Sequence, residues 1–233
     1  ASGGFHVAPI YAADYGAAIS QNSWGYDAPG VYSMFVLDAI DYFNFYGGGS
    51  IMQGGITIFA AGNNNSGEDY YPARYSRVLT VASTDHTDTR SGFSNFGSWV
   101  DLSAPGSNVA STYINSEYGY MSGTSMACPH VSGVAALVLS HAPGRFSADQ
   151  LRHILVSTTD DHYGLNPSFT GLLGSGRLNA HAALNYTVQL LQAPASFQAM
   201  AVSDSQINLS WALNAAADPV LLAFSEYGVF GSP

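Results

Sequence analysis

The chain has no lysine. Its six basic residues are all arginine, set against 16 acids, for a formal charge of −10 over 233 residues. Nucleic acid is held by clustered basic side chains that displace counterions, so that class of function is excluded. The acidic balance fits a soluble, exported protein but names no partner. Cysteine is almost absent as well. Cys128 stands alone, which excludes an internal disulfide, and its small apolar neighbours make it a buried structural thiol rather than a reactive one. No apolar run approaches the roughly 18 residues of a membrane span. The opening "ASGGFHVAPI" lacks the basic region and apolar stretch of a signal peptide, so an export signal is expected upstream of residue 1. Charged residues make up only 9% of the chain while hydrophobic ones reach 47%, enough for a sizeable core and too many for disorder.

Short apolar runs alternate with helix-like segments. After a short helix over 8–15, "AAISQNS" (17–23) reads as a strand, and "ITIFAA" (56–61), "RVLTVAS" (77–83) and the weaker "WVDLSA" (99–104) read as others. Strands apolar on both faces are buried on both, as in a parallel sheet covered by helices. Residues 31–46 repeat apolar side chains at helical spacing and stop at Gly47-Gly48-Gly49. Residues 126–141 form a helix apolar nearly all round, which is expected to be buried. Ser147 and Gln150 form a capping box for a helix over 148–157, and Asn179 caps a last helix within 174–189. The fold class is therefore α/β: a three-layer sandwich with a mostly parallel sheet.

The pattern changes at Ala193-Pro194-Ala195. "AMAVSDSQINLSWAL" alternates with period two and places Ile207, Leu209 and Trp211 on one face, and "VLLAFSEYG" (220–228) reads as another antiparallel strand. The expected domains are 1–192, and 193–233 as the start of a β-sandwich, since the remaining residues are too few for a sandwich of roughly 100.

One stretch invites chemistry: "YGYMSGTSMACPHVSG" (118–133). Gly123 and Ala127 permit a tight turn into a helix. Ser125 then sits at the helix N-terminus, where free N–H groups and the dipole favour developing negative charge. A hydroxyl becomes a useful nucleophile only with a base for its proton and donors for the oxyanion. A lone serine before a helix is ordinarily an N-cap, and that reading stands beside the nucleophile. Asn63 ends the "ITIFAAGNNN" run, where a fixed side-chain amide is a preorganised donor; a plain turn after a strand is the alternative.

"GTSMACPHVSGVAAL" (123–137) resembles the nucleophile motif of the subtilisin-like serine proteases, the subtilases, and Ala127 separates it from the G-x-S-x-G elbow of other hydrolases. "ITIFAAGNNN" resembles the oxyanion strand of that family, "AAISQNSWGY" its substrate-binding strand and "YYPARYSRVLTVASTD" (70–85) the following segment, with Pro72 at the turn behind the specificity pocket. "WVDLSAPG" and "GSGRLNAHAAL" match structural segments, so the resemblance covers residues 8–187. It implies Ser125 as nucleophile and Asn63 as oxyanion donor. It implies Ser23, Trp24 and Gly25 along one side of a bound peptide, where an added strand pairs with an exposed edge, and Ala60, Ala61 and Gly62 as a wall of the pocket. Trp24 alone would read as a core residue.

The family places an Asp in D-[ST]-G and a His in an H-G-T-H type motif before the serine. Neither motif occurs: no Asp precedes Ser or Thr and then Gly, and none of His6, His86, His130, His141, His153, His162 and His181 is followed by Gly. His130 follows Ser125 by five residues on one helix, displaced by roughly 140° and about 7.5 Å, so it does not easily reach the hydroxyl. The expectation is a secreted, cell-surface or periplasmic serine endopeptidase whose base and orienting Asp lie upstream of this chain, which alone is expected to be inactive. Its partners would be a peptide or protein substrate, the missing N-terminal portion of the same protease and a propeptide, with no nucleic acid and no membrane span. The trailing module resembles fibronectin type III. The chemistry needs no cofactor or metal. Structural calcium is compatible with Glu68-Asp69 or Asp85–Asp88, although no ligand spacing there points to it. The alternative is a non-catalytic scaffold that grips peptides or displays the β module.

Overall fold

The apolar runs become four parallel strands in sequence order: β1 (Ile19–Asn22), β2 (Ile56–Ala60), β3 (Leu79–Thr84) and β4 (Leu102–Pro105). Ile19 stands opposite Ile56, Ile58 opposite Leu79 and Val81 opposite Leu102. The computed structural model describes residues 4–190 and the strand backbone of 195–203 and 206–212. The chain divides into two units between Leu184 and Asn185. In the first, α1 (Val7–Asp14) packs on α2 (Met34–Tyr46), α2 packs on β2, and α3 (Thr124–His141) touches all four strands. The result is the expected α/β fold, a parallel sheet flanked by helices.

Every residue of β2 and β3 is buried, Thr57, Thr80, Ser83 and Thr84 among them, as in a parallel sheet covered on both faces. The side chains of β1 are half-buried or exposed, because among the described residues it is an edge strand with β2 on one side alone. The expected strand over 99–104 begins later. Val100 N–H closes a turn on Gly97, so pairing starts only at Leu102. The expectation of an all-round buried helix over 126–141 is also corrected. α3 buries Ala127, Cys128, Val131, Val134, Ala135 and Val138 but exposes Pro129, His130, Gly133, Ala136, Leu137 and Ser140, a stripe at helical spacing.

Helix ends follow local chemistry. α2 stops at Gly47, and Gly48 follows in the left-handed region (φ +94), where a β-carbon would lie 2.1 Å from the Met52 carbonyl. α4 (Ala148–Ser157) has its capping box: the Ser147 hydroxyl accepts from Gln150 N–H, and the Gln150 side chain accepts from Ser147 N–H. Asn179 Oδ1 caps α5 (Ala180–Leu190) by accepting from Ala182 N–H. Ser147→Ala is expected to lower stability by about 1 kcal/mol. The check is a urea midpoint that falls at constant m; an unchanged midpoint would mean that the cap contributes nothing.

A hairpin that sequence reading passed over joins β5 (Val109–Tyr113) to β6 (Glu117–Met121). Its loop uses Asn115 and Ser116 at positive φ. In the second unit β7 (Ala195–Ser203) and β8 (Gln206–Ala212) pair antiparallel. The strand expected over 220–228 and the side chains of Ile207, Leu209 and Trp211 lie outside the described residues. Among the described residues no helix is long and apolar enough to cross a membrane.

Candidate active site

Parallel strands put all their carboxyl ends at one edge of the sheet, and loops leaving that edge build sites. Here the chain leaving β1 carries Ser23, Trp24 and Gly25, and the chain leaving β2 carries Ala61, Gly62 and Asn63. Together with Ala60 and Ser125 they border one cavity of about 290 Å³. All eight residues named from the sequence therefore meet in one place. Thr124, Asn64, Tyr26, Asp27, Tyr70, Tyr71 and Ala73 complete the lining, and sequence reading named none of them. Trp24 serves two surroundings. It lines the cavity and also packs edge-on against Phe59, 5.3 Å between centroids, at the margin of the Val36–Leu37–Ile40 core.

α3 begins at Thr124, so Ser125 is its second residue, half-buried, with Gly123 preceding the helix. Among the described residues the Ser125 hydroxyl reaches only the Ser23 carbonyl, at 3.5 Å, the outer limit of a hydrogen bond. Ser23 Oγ donates to the Ser125 carbonyl at 2.9 Å and accepts from Gln21 Nε2 at 2.6 Å, which ties the end of β1 to the first turn of α3.

Asn63 is held by its oxygen. Its Oδ1 accepts from Thr124 N–H at 2.8 Å and from Thr124 Oγ1 at 2.9 Å, while Thr124 Oγ1 itself accepts from Gly62 N–H at 3.1 Å. That anchoring leaves the Asn63 NH2 with no acceptor among the described residues, and the Ser125 N–H has none either. A β-carbon built on Gly123 would lie 3.6 Å from Asn63 Nδ2 and 3.6 Å from Ser125 N. Two donors without a protein acceptor, together with the Met126 sulfur, thus border one small space beside Gly123. An anion or a developing oxyanion is what such a space accepts.

No histidine among the described residues hydrogen-bonds the Ser125 hydroxyl. His130 Nδ1 donates to the Met126 carbonyl at 2.8 Å. His130, Met126 and Pro129 line a second cavity of about 410 Å³ that Ser125 also borders, walled by the β5–β6 hairpin. Cys128 is no nucleophile: burial pushes its thiol up to about 11. A third cavity, about 990 Å³, shares no residue with the Ser125 site. Its arginines are engaged, Arg152 with Asp101 and the Val78 carbonyl and Arg77 with Asp41.

The acids considered for calcium do not fit it. Asp69 is engaged by Arg74 at 2.8 Å. Asp85 Oδ1 accepts from Thr87 N–H, Thr87 Oγ1 and Thr89 N–H, which holds its carboxyl below the usual range against the opposing effect of burial. Among the described residues no three His, Cys, Asp or Glu side chains are grouped to hold a metal.

The sequence model of the subtilase family matches residues 6–178. Thermitase of Thermoactinomyces vulgaris is 40% identical over 176 residues, which are 76% of this chain and 57% of that protein. A thermophilic serine proteinase of Bacillus sp. (strain AK1) is 37% identical over 177 residues, 76% of this chain and 40% of the relative. Among solved structures, a protease of Pseudoalteromonas arctica superposes with a TM-score of 0.59 at 33% identity, covering 70% of this chain and 49% of that one. The prenylagaramide maturation protease PagA gives 0.66 at 26% identity, covering 78% and 66%. The chain thus spans between two-fifths and three-fifths of the two curated relatives described. A family match across most of the first unit, over a parallel sheet whose carboxyl edge gathers Ser125 and Asn63, places this chain in the subtilase family.

Proposed function

We propose that this chain carries the nucleophile and oxyanion hole of a serine endopeptidase. The observation that carries the reading is that Asn63 Nδ2 and Ser125 N, neither with a protein acceptor among the described residues, border one space at Gly123 in the cavity that Ser125 lines. Ser125 Oγ attacks the peptide carbonyl. Its proton passes to a histidine outside these 233 residues, oriented by an aspartate also outside them. The oxyanion of the tetrahedral intermediate accepts from Asn63 and Ser125. The histidine then protonates the leaving amine, an acyl ester forms on Ser125, and water attack releases the acid. The peptide lies extended along Ser23–Gly25 with one side chain against Ala60–Gly62. On this reading the protein works outside the cell or at its surface, is made with a propeptide, and residues 193–233 begin a β-sandwich module of fibronectin type III type. The antiparallel β7–β8 pair supports that last point.

A fluorophosphonate probe tests the reading. In the full-length protein, mass spectrometry is expected to place the adduct on Ser125; the 233-residue chain by itself is expected to take none, for want of a base. Labelling of the short chain would overturn the external base, and an adduct elsewhere would overturn the nucleophile. A second reading is a scaffold that binds peptides without cutting them, since no histidine among the described residues hydrogen-bonds Ser125. Peptide binding without labelling in the full-length protein would decide for it.

A further inference from the structure

The space between the two donors is only as well defined as the loop that carries Asn63. That loop, residues 61–66, has no regular secondary structure. It is bracketed instead by one side chain from the β3–β4 connection, Asn95, which is completely buried. Asn95 Nδ2 donates to the Ala61 carbonyl at 3.0 Å. Its Oδ1 accepts from Asn64 N–H at 2.9 Å and from Ser66 N–H at 3.1 Å. Its own N–H donates to the Gly62 carbonyl at 2.9 Å. Four hydrogen bonds therefore straddle Asn63, on the residues before and after it, and none falls on Asn63 itself.

The packing leaves no slack. Gly62 has φ +101, and a β-carbon there would lie 2.5 Å from Asn95 Nδ2, so the glycine admits the amide. Neighbours of Asn95 hold the same loop: Asn65 N–H donates to the Phe93 carbonyl, Phe96 N–H to the Ser66 carbonyl, and Arg90 Nη2 to Asn65 Oδ1. From the other side Thr124 grips the Asn63 oxygen and sets the rotation of the amide. Thr124 fixes the side chain, and Asn95 fixes the backbone from which that side chain springs.

We infer that Asn95 is a positioning residue for the oxyanion donor: it sets where Asn63 Nδ2 stands and so governs the chemical step without touching substrate. The inference rests on Asn63 being that donor. A misplacement of about 1 Å in such a site costs on the order of a hundredfold in rate. Asn95→Ala in the full-length protein is expected to lower kcat by about ten- to a hundredfold and to leave KM within about twofold, because the oxyanion exists only after attack.

A role confined to general stability would also lower activity, so the decisive measurement is a cycle with Asn63→Leu. Once the donor is gone, adding Asn95→Ala is expected to lower kcat by less than about threefold, the non-additivity of two residues acting as one unit. Equal losses in both backgrounds would overturn the inference. Asn95→Asp keeps both acceptor bonds but sets an oxygen against the Ala61 carbonyl, so it too is expected to lower kcat, and by less than about threefold in the Asn63→Leu background. Amide exchange in the full-length protein supplies a readout free of catalysis. Either variant should speed exchange at Asn64 and Ser66, more so for alanine, with β2 and β3 unchanged. If the full-length protein cuts no peptide, the proposed function falls, while unchanged exchange at Asn64 and Ser66 would separately refute the clamp.

Discussion

Ser125→Ala in the full-length protein is expected to lower peptide turnover by on the order of 10⁶ in kcat and to abolish fluorophosphonate labelling. The magnitude is that of the same loss in subtilisin, a relative of this chain. The physical reason is local. The hydroxyl stands in the 290 Å³ cavity at the N-terminus of a helix beside two free donors, while the neighbouring Thr124 hydroxyl is tied to Asn63 and Gly62 and the Cys128 thiol is buried and kept protonated. Removing the oxygen removes the acyl acceptor and leaves the rest of the site standing. Ser125 Oγ makes only one long hydrogen bond, to Ser23, so its loss should leave the melting temperature nearly unchanged. Peptide binding should survive as well, since Ser23 Oγ contacts the Ser125 carbonyl rather than its hydroxyl. Measurable turnover that stays near the parent's would sink the nucleophile assignment; loss of turnover together with loss of folding would call for Ser125→Cys, which keeps the shape.

Much of this site is legible in the sequence because it is made of consecutive residues. Ser23–Gly25, Ala60–Asn63 and Ser125 lie in short stretches that resemble the motifs of the family, whereas taken alone Trp24 reads as core, Asn63 as a turn and Ser125 as a cap. Ser147 and Asn179 are legible for the same reason, since a cap is satisfied within three residues of itself. What was not legible depends on distance along the chain. Thr124 reaches Asn63 across 61 positions and Asn95 reaches Asn64 across 31, and nothing in either local sequence announces the partner. Thr124 reads as filler between Gly123 and Ser125. Asn95, in "GFSNFGS", reads as a turn residue, and only burial reveals that its amide has no solvent to satisfy it.

The same contrast explains the two misjudged elements. The α3 pattern of Ala, Val and Leu sets apolarity but not which flank is covered; its exposed stripe includes small residues and Leu137, so composition alone suggested burial all round. The β5–β6 hairpin went unread because its side chains alternate weakly. Tyr113, Tyr118 and Tyr120 are all largely exposed, so the usual inside–outside signal of a strand is missing, and only the Asn115-Ser116 turn marks the reversal.

Asn63→Leu is expected to lower kcat by about 10²–10³ with KM nearly unchanged, the loss found when subtilisin is deprived of a side-chain oxyanion donor. The substrate carbonyl carries little charge, so the Asn63 amide contributes mainly after attack, and the effect belongs in kcat. Turnover should not vanish, because Ser125 N–H still faces the same space; the residual rate should stand well above that of Ser125→Ala. A second consequence distinguishes this variant from a simple donor loss. Asn63 Oδ1 accepts from both Thr124 N–H and Thr124 Oγ1, so leucine also leaves the first turn of α3 without its acceptor. That should cost about 1–2 kcal/mol of stability. Asn63→Asp separates the two effects: the carboxylate keeps both bonds to Thr124, restoring stability, but presents no donor and adds negative charge beside the oxyanion, so its kcat should be no better than that of leucine. Recovery of kcat in Asn63→Asp, or a raised KM with unchanged kcat in Asn63→Leu, would show that Asn63 shapes the loop and not the transition state.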